Sequence, residues 1–226
     1  MSRPLFLSLL FAAGLTAQAE TVPATAPKKE PMAVEVPTFG NANCAIMGKK
    51  VSMSLFIDTE VGRFYVCCKP CFKKILANVP AAQKTAYPTT KDVANKTCPV
   101  SGEPIGEHAV TVTLQGHAFS VCCAACVDAA RSSSQITLTR LLRDGVIDVG
   151  NETCPVSGQP VAQNAFVLID KSLVRLSAQN LVETVAKDPA AVLRKATELS
   201  KLQVPRPKHV HTPKEPPSTP KPDGGK

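Results

Sequence analysis

Asn95-Lys-Thr-Cys98-Pro-Val-Ser-Gly102 opens the stretch that decides the fold of this chain, and Val121-Cys122-Cys123-Ala-Ala-Cys126 closes it. Two β-like runs lie between them, Ala109 to Leu114 and Ala118 to Val121, separated by Gly116-His117. Apolar runs on either side of a glycine turn predict a hairpin. A hairpin returns its two ends to one place. Cys98 is thereby carried toward Cys122, Cys123 and Cys126, and four thiols meeting beside a small sheet is an arrangement suited to a metal ion.

The pattern occurs before and after. Asn41-Ala-Asn-Cys44, with Gly48 four residues after the cysteine, opens an earlier copy that closes with Val66-Cys67-Cys68-Lys-Pro-Cys71. Asn151-Glu-Thr-Cys154-Pro-Val-Ser-Gly158 opens a third. The opening cysteines are 54 and 56 residues apart, so the chain reads as a repeat of small supersecondary units. In the third copy Ser177, Ala178 and Leu181 stand where Cys122, Cys123 and Cys126 stand in the second. Three thiols lost together point to one joint purpose. The apolar positions Val161, Phe166, Leu168, Leu173 and Leu176 remain, which predicts a third unit that keeps the fold without the site and leaves Cys154 as a lone thiol.

Length and composition fit three such units. The chain has 226 residues and a net charge of +8, with 4% aromatic residues and no tryptophan. Residues 1–19 have the layout of an export signal: Arg3, the apolar run Leu5 to Leu15, and the small-residue site Ala17-Gln18-Ala19. That run is too short to span a membrane. Proline-rich segments at 20–40 and 203–226 are expected to be disordered, since they bury too little apolar surface to offset chain entropy. The ordered part then divides into units at 41–94, 95–150 and 151–202. The expected class is α+β, three tandem β-hairpin-plus-helix units with disordered termini, in the periplasm or secreted.

Each unit reads as a hairpin followed by two helices. In the first, Val51 to Phe56 and Arg63 to Val66 are the strands, Cys68 to Val79 and Pro80 to Tyr87 the helices. In the second, helices are expected at Cys123 to Ala130 and Leu138 to Arg143, with a break at Ser132-Ser133-Ser134. In the third they cover Ala178 to Ala186 and Pro189 to Lys201, the last N-capped by Asp188. Units of about 50 residues rarely hold together by an apolar core alone, so a metal, disulfides or packing between units must add stability.

The closing cysteines fall at a helix N-terminus, where free N–H groups and the dipole favour thiolates. Spacings of three and four residues put pairs such as Cys68 and Cys71, or Cys122 and Cys126, on one helix face. Thiolates select zinc, monovalent copper, cadmium or mercury. Met47 and Ser101 stand where a paired Cys-x2-Cys knuckle would place its second cysteine. Either four cysteines ligate, or three do and one position stays open, which suits monovalent copper.

The spacing Cys-x22-Cys-x3-Cys, preceded by Asn-x2-Cys and set in a hairpin plus helix, resembles the TRASH/YHS group of metal-binding modules. The resemblance covers 41–79 and 95–131, and 151–186 through Cys154-Pro-Val-Ser-Gly158 and the apolar pattern. It implies treble-clef or zinc-ribbon-like units with a role in heavy-metal sensing, trafficking or resistance. It also implies the ligands Cys44, Cys67 and Cys71, then Cys98, Cys122 and Cys126, with Cys68 and Cys123 as extra thiols. The Tyr-His-Ser triplet of one branch is absent; Phe64-Tyr65-Val66 and Phe119-Ser120-Val121 occupy that strand.

Competing readings remain open at this level. Four cysteines per unit permit complete pairing, so a disulfide-stapled structural or interaction module is the second reading. Cys68-Lys-Pro-Cys71 and Cys123-Ala-Ala-Cys126 also match a thiol–disulfide oxidoreductase motif, but the units are too short for a thioredoxin-like scaffold. Phe72 and Val127 stand where covalent haem attachment needs histidine. His108, His117, His209 and His211 are expected to be solvated. No catalytic constellation is evident and no nucleic-acid partner is expected. The reading is a non-enzymatic binder whose partner is a metal ion, zinc or monovalent copper, with a protein as a further partner left open.

Overall fold

The structure, a computed structural model, describes residues 31–202. The expected signal at 1–19, the first part of the linker, and the tail at 203–226 with His209 and His211 lie outside the described residues. The described chain is mixed α+β, with small sheets and six α-helices among the described residues.

A short strand, β1 (Val34–Glu35), comes first. β2 (Ser52–Thr59) and β3 (Gly62–Val66) form a hairpin followed by α1 (Pro70–Ala77) and α2 (Val79–Ala86). After β4 (Lys91–Asp92), β5 (Val110–Leu114) and β6 (His117–Val121) form the second hairpin, then α3 (Ala125–Ser132) and α4 (Ser134–Leu142). After β7 (Ile147–Asp148), β8 (Phe166–Ile169) and β9 (Ser172–Arg175) form the third. A 3-10 turn at Gln179–Leu181, α5 (Val182–Val185) and α6 (Pro189–Lys201) complete the described chain. Asp188 caps α6 by accepting from the Ala191 N–H at 2.9 Å.

The second hairpin turns at Gln115-Gly116, one residue earlier than the sequence suggests. Both have positive φ, 49° and 76°, as a two-residue turn matched to strand twist requires. His117 is therefore the first residue of β6, paired with Leu114. All four residues of β8 are buried, which accounts for its continuous apolar run, and all five of β3 are buried too, Arg63 among them because it pairs with Asp58 at 2.7 Å.

The connections between units are themselves strands. β4 adds in parallel to β6, and β7 in parallel to β9, so each connection completes the next unit's sheet. β1 pairs antiparallel with β8, Val34 opposite Ile169 and Glu35 opposite Leu168. The disorder expected over 20–40 therefore does not hold for 31–40. Met32, Val34 and Val36 pack against the third unit's core, and Phe39 packs against the second's. Alternating apolar residues won over Pro31 and Pro37.

The other departure is α4. It starts at Ser134, inside the expected break, and its residues 134–139 are all buried. Leu138 joins the second unit's core, while Ile136 packs on Phe166, Leu168 and Leu173 of the third. The helix is thus enclosed between units, and its polar residues need internal partners. Gln135 Nε2 donates to the Phe39 carbonyl (3.2 Å) and to Gln115 Oε1 (2.8 Å), and Gln135 Oε1 accepts from the Phe39 N–H (3.1 Å). Gln115 Oε1 also accepts from the Arg63 N–H (3.2 Å). The Gln135 N–H donates to Asn164 Oδ1 (2.8 Å), and Asn164 Nδ2 donates to Asp58 (3.2 Å). Gly62 makes room for this network: a Cβ there would lie 2.5 Å from Gln115 Cγ, and its φ of +110° suits glycine alone.

Replacing Gln135 by alanine removes the acceptor of the Phe39 N–H and one of the two donors that reach each of the Phe39 carbonyl and Gln115 Oε1. The expected loss is about 1–3 kcal/mol, read as a lower urea midpoint, whereas Lys73→Ala on the exposed face of α1 leaves the midpoint unchanged.

Candidate functional site

Each opening loop is built the same way. The Cys98 N–H donates to the Glu103 carbonyl (2.7 Å) and the Gly102 N–H returns to the Cys98 carbonyl (2.8 Å). Cys44 with Lys49 and Gly48, and Cys154 with Gln159 and Gly158, repeat this closure. The three glycines have φ of 65°, 80° and 74°, the left-handed geometry that lets so tight a loop close.

An asparagine clamps each loop to the end of its hairpin. Asn95 Nδ2 donates to the carbonyls of Thr97 and Ser120, both at 2.8 Å, and Asn95 Oδ1 accepts from the Ser120 N–H at 2.9 Å. Asn41 does the same to Asn43 and Tyr65, and Asn151 to Thr153 and Arg175. The clamped strand residue lies two positions before Cys67, Cys122 and Ser177 respectively. The clamp thus sets the distance between the opening cysteine and the closing group. It also fixes Ser177 as the counterpart of Cys122. The asparagine three residues before each opening cysteine was visible in the sequence, but its role was not.

Cys44, Cys67 and Cys71 come together so that their sulfurs all lie within 4.8 Å of one another, and Cys98, Cys122 and Cys126 do likewise. Cys67 and Cys71 are 4.0 Å apart, Cys122 and Cys126 3.6 Å. Zinc–sulfur bonds of about 2.3 Å place two sulfurs of a tetrahedron about 3.8 Å apart. The two clusters can therefore hold a metal ion with little rearrangement. Cys68 lies 3.8 Å from Cys67 and 3.5 Å from Cys71; Cys123 lies 3.9 Å from Cys122 and 3.8 Å from Cys126. Both sit beside the clusters without joining the triplets that contain the opening cysteine. All nine cysteines are free thiols, and even the closest pair is well beyond a disulfide bond of about 2.05 Å.

Met47, His108 and His117 lie outside the clusters. Met47 is 49% exposed and is not among the residues packed with the first cluster's core. His117 approaches the Gln115 carbonyl through Nδ1 at 3.1 Å, and His108 lies on the surface; neither belongs to a cluster.

The electrostatics differ from the expectation of a helix-stabilised thiolate. Burial pushes the Cys44 thiol up, but backbone N–H groups of Cys67, Ile46 and Met47 point at its sulfur and bring it down to about 7. Burial likewise pushes the Cys98 thiol up, but N–H groups of Ser101 and Cys122 and the Ser101 hydroxyl outweigh it and bring it down to about 7. Cys71 and Cys126 sit in the first turns of α1 and α3, yet burial raises both, Cys71 to about 12. Cys122 is raised to about 11, again chiefly by burial. Cys68, just before α1, is lowered by the Cys71 and Cys67 thiols and the Cys71 N–H, as expected at a helix start; without a metal, the drops to about 7 fall on the opening cysteines.

The third unit shows what remains when the closing thiols are gone. Ser157 and Ser177 bond each other at 2.8 Å where Ser101 and Cys122 stand 3.3 Å apart. Their donors outweigh burial and lower Cys154 to about 7. Comparison with family models, with curated proteins and with solved structures returned no match.

Asn95→Ala should weaken zinc retention at the second cluster in a chelator competition and lower stability by about 1–2 kcal/mol through lost, partly buried hydrogen bonds. Asn151→Ala should lower stability similarly without changing the number of ions bound. The Cys154 thiol has a folded pKa of about 7 against an ordinary 9.0. The unfolded chain therefore keeps this proton to higher pH than the folded one. The stabilisation from Cys154 is full above about pH 9 and fades as pH falls through about 7. Urea midpoints measured across that range should rise less steeply with pH in Cys154→Ala than in the parent.

Proposed function

We propose that this protein is an exported, non-enzymatic binder or carrier of soft or borderline metal ions, of the zinc or monovalent copper class. Cys44, Cys67 and Cys71 hold one ion; Cys98, Cys122 and Cys126 hold another; Cys68 and Cys123 are supplementary thiols. One observation carries the reading. Sulfurs 23 to 28 residues apart in sequence meet within 4.8 Å of one another, twice. The same scaffold carries serine, alanine and leucine in their place when the closing thiols are replaced.

The resemblance to TRASH/YHS modules belongs to this reading, with the three hairpin-plus-helix units as treble-clef-like modules in tandem. Trafficking or resistance is the role it favours. The two occupied units would supply the thiolates, and the third would be structural. Among the described residues no helix is long and apolar enough to cross a membrane. When bound, an ion would crosslink the opening loop to the start of the following helix. The chain's own residues align the thiols, shield Cys44, Cys71, Cys98 and Cys126 from water, and direct backbone N–H groups at the sulfurs.

Native mass spectrometry with thiol counting, on protein reduced and loaded without oxygen, tests this. The expected result is two ions per chain. Replacing Cys98, Cys122 and Cys126 by serine should remove one of them, and replacing Cys44, Cys67 and Cys71 the other. A chain that binds no ion after reduction and re-forms four disulfides on oxidation would instead be a disulfide-stapled module.

A further inference from the structure

The two clusters share a scaffold but not their surroundings. Five residues after the opening cysteine the first unit has Lys49, the second Glu103 and the third Gln159. The backbone of all three is fixed identically, each carbonyl accepting from the N–H of its opening cysteine. The side chains therefore start from equivalent points. Glu103 is half-buried and places Oε2 3.6 Å from Cys122 Sγ. A tetrahedral ion with sulfur at about 2.3 Å and carboxylate oxygen at about 2.1 Å sets those two ligands about 3.6 Å apart. Glu103 does not lie within 4.8 Å of all three sulfurs, so its carboxylate has to swing toward Cys98 and Cys126 to close the site. Lys49 is exposed, and a protonated amine cannot ligate.

The other differences run the same way. Cys122 has oxygen neighbours, the Ser101 hydroxyl at 3.3 Å and Glu103, whereas the side-chain partners of Cys67 and Cys71 are other thiols. All three thiols of the second cluster are buried; Cys67 of the first is half-buried. Arg140 donates to the Val100 carbonyl, in the loop that carries Cys98, at 2.7 Å. Its guanidinium, which also pairs with Asp148 at 3.5 Å, adds positive charge beside that loop. Hard oxygen donors favour divalent borderline ions, and sulfur-only sets favour soft monovalent ones.

We propose that Glu103 is the fourth ligand of the second cluster, making Cys98, Cys122, Cys126 and Glu103 a closed site for a divalent ion of the zinc class, while the first cluster is a more open, sulfur-only site for a soft monovalent ion. This rests on the metal-binding reading and assigns each site its ion. The second site retains its ion; the first is the one from which an ion is exchanged. Cys123 is the rival fourth ligand, but its counterpart Cys68 is present in the first unit too, so it does not distinguish the sites.

The test uses two full-length proteins, one with Cys44, Cys67 and Cys71 changed to serine, the other with Cys98, Cys122 and Cys126 changed. Each is titrated with zinc, with cobalt(II) as a coloured probe, and with copper(I). The second-site protein should bind cobalt with tetrahedral and thiolate charge-transfer bands. Glu103→Gln should weaken its zinc affinity by about tenfold or more and shift the cobalt bands, leaving copper(I) affinity unchanged. Lys49→Glu in the first-site protein should strengthen zinc binding by a similar factor, a gain that misfolding cannot imitate. Equal zinc-to-copper preference in the two proteins would overturn the proposal, as would a zinc loss caused by Cys123→Ser and not by Glu103→Gln. If neither protein retains any ion, the metal-binding reading falls and this assignment falls with it.

Discussion

The clamp that each asparagine makes between its opening loop and the end of its hairpin is the constraint on which this structure depends. Asn41, Asn95 and Asn151 each use both ends of one short amide to bind backbone on two segments that are 24 or 25 residues apart. A hairpin alone brings its ends near each other. The clamp fixes their register, so that Cys98 faces Cys122 and Cys126 at ligand distance. Asn41 and Asn151 are buried and Asn95 partly so, and amides bonded in this way are costly to leave unpaired, which makes the arrangement specific as well as stable.

The three units form an internal comparison in which the scaffold is constant and the chemistry varies. The loop closure, the left-handed glycine and the asparagine are common to all. The first unit surrounds its thiols with sulfur, the second adds oxygen from Ser101 and Glu103, and the third closes the gap with a bond between Ser157 and Ser177. The units are not independent beads. β4 and β7 stitch each to the next, β1 reaches the third unit, and the network around Gln115, Gln135 and Asn164 joins all three. Small cores of this kind gain much of their stability from one another.

Much of this was legible in the sequence because it rests on local pattern. The hairpins, the repeat spacing, the convergence of the cysteines and the Asp188 cap all follow from turn residues, alternation and fixed offsets. What was hidden depends on tertiary context. The sequence reads as a break through Ser134 with a helix resuming at Leu138, yet α4 starts at Ser134, and Ser134, Gln135 and Thr137 are buried because two units enclose the helix and supply partners for Gln135. Residues 31–40 read as linker because nothing local shows that Val34 finds a partner strand near Ile169. The thiol electrostatics were misplaced for a similar reason. The helix N-terminus is visible in sequence, whereas the N–H groups of the opening loop that converge on Cys44 and Cys98 appear only once the loop is folded.

X-ray absorption at the metal edge of the zinc- or copper-loaded full chain measures the ligands themselves. Convergence of remote sulfurs on one ion predicts a sulfur-dominated first shell near about 2.3 Å, abolished together with the bound ion when the cysteines of both clusters are replaced. A first shell of nitrogen and oxygen alone would place the ion elsewhere and contradict the account.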